Sequence, residues 1–139
     1  MAPGVLCREG FLGSDARRLS DILDADAAEV ARLGLSHAAV AAELERVLNA
    51  AVHGLGTPVQ IGERRVATWH EAMGRIPCPF GRCGTFPKGE VEFVNTQTGE
   101  RMVFTPLSVH AVAEHGFYQG RGSRYRLEPA SLARMLTLA

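Results

Sequence analysis

The sequence predicts an α+β fold: an N-terminal helical hairpin packed on a small antiparallel sheet, followed by a turn, hairpin and helix module. Three observations carry this reading. Apolar residues recur at helical spacing through the first 57 residues and alternate at strand spacing from residue 58 on. The stretch "GEVEFVNTQTGERMVFTP" (89–106) sets two alternating runs around a polar turn. Two close pairs of potential metal ligands flank that stretch, in "CPFGRC" (78–83) and "HAVAEH" (110–115).

Taken in order, Ser14 or Asp15 can cap a first helix whose apolar stripe is Leu19, Ile22, Leu23, Ala27, Val30 and Leu33. Asp21, Asp24 and Asp26 fall off that stripe, where water can reach them. Gly34 supplies the C-terminal stop. Ser36 caps a second helix with Val40, Ala41, Leu44, Val47, Leu48 and Ala51 on one face, and "HGLGTP" (53–58) ends it. "PVQIG" and "RRVATWHEA" lean toward strand. In the hairpin, Val91, Phe93, Met102 and Phe104 are the inward positions. Thr105 can cap and Pro106 can open the helix "PLSVHAVAEH", which stops at Gly116. A glycine-punctuated loop (116–129) leads to a last helix, "PASLARMLTLA". The expected organisation is one domain over 1–139, with a helical half (1–57) and a β-rich half (58–139).

Composition bounds the function. With 139 residues, 46% of them hydrophobic and 22% charged, the chain reads as an ordinary soluble globular protein. No apolar run approaches the roughly 20 residues of a membrane span. "MAPGVLCREG" lacks the basic start and apolar stretch of a signal peptide, so a cytoplasmic location is expected. The net charge of zero conceals an asymmetry. Residues 1–62 carry five Arg against eight acids, and residues 63–126 carry nine basic residues against six acids. An anionic partner would meet the second half, and the opposed halves suit a homodimer. Of the three cysteines, Cys7 stands alone as a small hydrophobe, while Cys78 and Cys83 form the close pair.

Zinc favours thiolate and imidazole in a tetrahedral set of four, brought as two pairs from separate elements. Gly81 and Gly84 permit a tight turn that points Cys78 and Cys83 inward, and Arg82 would help keep the thiols deprotonated. His110 and His115 complete the set, with Glu114 beside them as a supporting group. Their five-residue spacing puts the imidazoles roughly 140° apart on an ideal helix, so the last turn before Gly116 must distort or the side chains must reach. The alternative is two ordinary small cysteines and two histidines lining a helix end, which the helix dipole favours without any metal.

The order of cysteine pair, hairpin and histidine-bearing helix resembles the Cys2His2 zinc finger over residues 78–115. The resemblance implies Cys78 and Cys83 as the thiolate pair and His110 and His115 as the imidazole pair. It departs from the finger in its central spacer, 26 residues here against about a dozen there, and in lacking a basic groove-reading helix. "EHGFYQGRGSRYRLEP" is also similar to a segment of small uncharacterised bacterial proteins, which implies no function.

Four protein ligands leave no open coordination position, so the expected role is structural: one zinc per chain, in a small cytosolic binding or accessory module. A zinc-dependent hydrolase would need three ligands and a water, with Glu114, His70 or Glu71 as base, and no HExxH motif supports it. The loop 117–126 offers another reading. Phe117, Tyr118 and Tyr125 interleave with Arg121, Arg124 and Arg126, a composition suited to stacking on single-stranded nucleic acid. Alternatively the aromatics anchor the loop on the core while the arginines are solvated or pair with N-terminal acids.

Overall fold

The computed structural model describes residues 14–81 and 83–136; Cys7 and Arg82, both singled out above, lie outside the described residues. The fold is α+β. Helix α1 (Leu19–Arg32) and α2 (His37–His53) precede β1 (Val59–Ile61), β2 (Arg65–His70), β3 (Arg75–Pro77), β4 (Thr85–Pro87), β5 (Glu90–Asn95) and β6 (Arg101–Phe104). Helix α3 (Pro106–His115) and α4 (Pro129–Met135) follow. The strands form an antiparallel sheet in the order β1-β2-β5-β6 and a separate two-stranded ribbon, β3-β4.

The sheet builds its core face in rows across the strands. Ala67, Phe93 and Met102 stand in register, as do Trp69, Val91 and Phe104, and all six side chains are buried. Against this face pack Val40, Leu44 and Val47 of α2 and Val109 and Val112 of α3. A second, smaller core gathers Ile22 of α1, Cys78 at the end of the ribbon, Leu107 and Ala111 of α3, and Phe117. Helix α3 is therefore apolar on two faces, one in each core.

Local chemistry fixes the ends. The Ser36 side chain accepts from the Ala39 amide at 3.1 Å. At α3, Thr105 and Ser108 form a reciprocal capping box, with Pro106 in the first turn. Gly34, at φ 74°, closes α1: its amide bonds Ala31 and the Leu35 amide bonds Val30 across the turn.

Two expectations for α1 need correction. Its N-cap is Arg18, with no side-chain hydrogen bond. Asp15 instead takes the Arg17 side chain, at 2.6 and 2.8 Å, and the Arg121 amide at 3.1 Å, tying this segment to the loop after α3. Asp26 is buried, not solvated, and the inward face of α1 is Ile22, Asp26 and Val30. The reason is Arg126, whose guanidinium grips Asp26 through both of its terminal nitrogens, at 2.6 and 2.8 Å. The helix thus turns a carboxylate toward the protein because a cation from the far end of the chain meets it there. Helix α1 leans on α4, while α2 packs along α3 and β2.

Candidate metal centre

The short ribbon presents the two cysteines. Ile76 pairs with Phe86 and Pro77 with Thr85, and the Cys78 amide continues the ladder to the Gly84 carbonyl at 3.4 Å. The chain then turns through Gly81 and Gly84, both at positive φ (81° and 83°), which side chains rarely adopt. Cys78 is buried and Cys83 half-buried, and both are free thiols.

Helix α3 supplies the histidines. It remains α-helical through His115, and the ladder widens only beyond it. The Gly116 amide reaches Val112 at 3.1 Å, and the Phe117 amide spans back to Ala111 at 3.1 Å. Side-chain reach, more than helix unwinding, brings the imidazoles to a centroid separation of 5.3 Å.

One donor atom from each of Cys78, Cys83, His110 and His115 lies within 4.8 Å of the other three. Both sulfurs stand 3.5 Å from Nε2 of His115. A zinc ion with bonds of about 2.3 Å to sulfur and about 2.0 Å to nitrogen in tetrahedral array has sulfur–nitrogen edges of about 3.5 Å and no edge beyond about 3.8 Å. The two sulfur–His115 edges already have that length, and a spread of up to 4.8 Å over the four donors needs a contraction of at most about 1 Å to reach the longest tetrahedral edge. Nε2 of His110 is buried without a hydrogen-bond partner, as suits an atom meant for a ligand. The donor set fits a metal ion.

Electrostatics agree with a site that must give up protons on loading. Burial pushes the Cys78 thiol up from its ordinary value, with Cys83 adding to the shift. Burial, then the charge of His115, pushes His110 down, toward the neutral form that binds metal. Glu114 opposes this through its charge alone. It is exposed, with no hydrogen bond to either imidazole.

Sequence reasoning missed the aromatic wall. Phe80 stacks on His115, and Phe86 lies against His110 at 4.6 Å. Phe117 meets the edge of Phe80 at 5.5 Å. The signal was available, since Phe80 sits inside the cysteine loop and Phe86 three residues past it.

The loop 117–126 is placed differently from a nucleic-acid grip. Phe117 and Tyr118 are core residues, with relative exposures of 1% and 0%, so neither offers a face for stacking. Tyr118 hydrogen-bonds Nδ1 of His37 at 2.8 Å. Arg126 is spent on Asp26 and Glu128, and Arg124 on Glu90. Arg121 and the half-buried Tyr125 remain nearer the surface. The aromatics Phe117 and Tyr118 are anchored in the core, Arg126 pairs with the N-terminal acid Asp26, and the Arg121 side chain is exposed.

The cluster is Cys2His2-like in its donors but not in its frame. Its cysteines ride on a ribbon of their own, while the β5–β6 hairpin belongs to the larger sheet. Comparison with protein-family models, curated proteins and solved structures gave no match. No helix among the described residues is long and apolar enough to cross a membrane.

Proposed function

We propose that Cys78, Cys83, His110 and His115 hold one zinc ion per chain in a structural role, and that the protein acts as a binding or accessory module. The observation that carries this is the convergence of four donors with both sulfurs 3.5 Å from one imidazole nitrogen. Two sulfurs and two nitrogens in tetrahedral array suit zinc above the harder divalent ions, which prefer oxygen. Four protein ligands leave no position for a reactive water.

Two of the three bases a hydrolase could use are engaged elsewhere. Glu71 accepts the Trp69 indole N–H at 2.6 Å, and His70 faces Glu92 at 3.7 Å. The ion would clamp the ribbon tip to the end of α3, directly over the small core where α1 docks. Thiolate ligation requires reduced cysteines, so the reading includes a reducing, cytoplasmic compartment.

X-ray absorption at the zinc edge tests this. The reading expects two sulfur and two nitrogen neighbours and no oxygen. Three protein ligands with an oxygen would instead support a hydrolytic site.

A further inference from the structure

The arginine excess after residue 62 is partly gathered at one end of the four-stranded sheet. Strand β2 begins there, with Arg65 paired to Asn95, and ends at His70, paired to Glu90. A cavity of about 440 Å³ opens here, lined by Glu63, Arg64, Arg65, Asn95, Gln97 and Arg134.

We propose that this cavity binds a phosphate group, either free or at the end of an ester. Three of its donors are held in position by other contacts. Arg65 donates from Nη1 to the Met135 carbonyl at 2.9 Å, and its guanidinium lies over Gly62, where an added Cβ would come within 3.0 Å. Arg134 is held by Glu100 at 2.8 Å and Ser131 at 3.2 Å. Asn95 accepts the amides of Gln97 and Thr98 on its side-chain oxygen, which leaves the NH₂ group to donate. Such groups lose little freedom when a ligand arrives.

Arg64 adds a charge that is not neutralised. It is exposed and forms no ion pair among the described residues. Glu63 on the lining and Glu100 behind Arg134 oppose the three guanidinium groups, leaving one positive charge in excess. Planar guanidinium forks match the oxygens of a phosphate in pairs. No aromatic ring lines the cavity, so it suits the phosphate end of a molecule and not a base. Solvent and salt screen an open site, so binding is weak and falls with ionic strength.

The experiment titrates the ¹⁵N-labelled full chain with inorganic phosphate, glycerol 3-phosphate and acetate at constant ionic strength. Saturable shifts are expected at the Asn95 side-chain amide and at the Nε–H signals of Arg64, Arg65 and Arg134 with both phosphates. Tighter binding of the ester identifies an ester terminus as the source, and equal binding identifies the free ion. Arg64→Ala, at an exposed side chain with no ion pair among the described residues, should weaken binding roughly tenfold, the equivalent of one charge-assisted contact. Arg64→Ala with Arg134→Gln should abolish saturation while circular dichroism stays unchanged. The proposal is overturned by no saturable response, by shifts centred elsewhere, by equal binding of acetate, or by wild-type affinity in the double variant.

Discussion

Phe80 lies flat on His115, with ring centroids 4.1 Å apart and planes within 12°. A residue of the cysteine loop thus fixes the orientation of the imidazole that both cysteines face. Replacing Phe80 with Ala leaves the ligands in place but frees His115 to rotate. Supports that orient a ligand change metal affinity by about 10–100-fold when removed. Phe80→Ala should therefore weaken zinc binding by about tenfold, measured by competition with a chromophoric chelator. Unchanged affinity would show that the stacking does not orient the ligand.

The Asp26–Arg126 pair joins α1 to the loop before α4, with the two side chains only 6% and 9% exposed. Breaking a buried pair leaves a charge without its partner and costs about 3–5 kcal/mol. Asp26→Asn should fall toward the lower end, about 3 kcal/mol by urea denaturation, because Glu128 and the Gln119 carbonyl still hold Arg126. Replacing both partners, Asp26→Leu with Arg126→Met, should recover much of the loss. A double variant as unstable as the single one would contradict this account of the pair.

Asp15 sets the acid behaviour of the N-terminal segment. The Arg17 side chain, opposed by burial and helped by the Arg121 amide, holds its carboxyl well below the usual carboxylate range. Its folded value lies below its unfolded value of about 3.9, so its contribution is complete above that pH and is lost as the pH falls further. Asp15→Asn should lower Tm at pH 7, and the difference from wild type should shrink below about pH 4. Comparing the two proteins as a difference curve cancels the protonation of the metal ligands, which they share.

Gly89 lies under Trp69, where an added Cβ would stand 2.2 Å from the indole. The ring is buried and its N–H is hydrogen-bonded to Glu71, so moving aside means breaking that bond or shifting into the neighbouring cavity that Trp69 helps to line. Gly89→Ala should destabilise by about 1–3 kcal/mol through overpacking, with a change in the fluorescence of this single tryptophan. A neutral substitution would show that the ring moves freely.

Much of the architecture is legible from short-range pattern. Alternation placed Val91, Phe93, Met102 and Phe104 on the core face, and Ser36, Thr105 and Pro106 marked helix starts that the structure keeps. The convergence of Cys78, Cys83, His110 and His115 was legible too, because four donor residues at close spacing are a chemical signal before they are a geometric one. The β3–β4 ribbon was not, since strands of three residues are too short to show a period. Nor was the burial of Asp26, which depends on a partner 100 residues away. The loop after α3 was legible only as two alternatives. Its composition suited both a nucleic-acid grip and aromatics anchored on the core, and the anchored arrangement, with Tyr118 and Phe117 in the cores, rests on contacts that no local window contains.

The zinc content of the chain, purified without added metal, tests the central claim most directly. Elemental analysis should give about one zinc per chain for the wild type, and Cys83→Ser should lose most of it. Chelation should lower Tm, because the free energy of metal binding is also free energy of folding. A folded, equally stable chain that contains no metal would contradict the account.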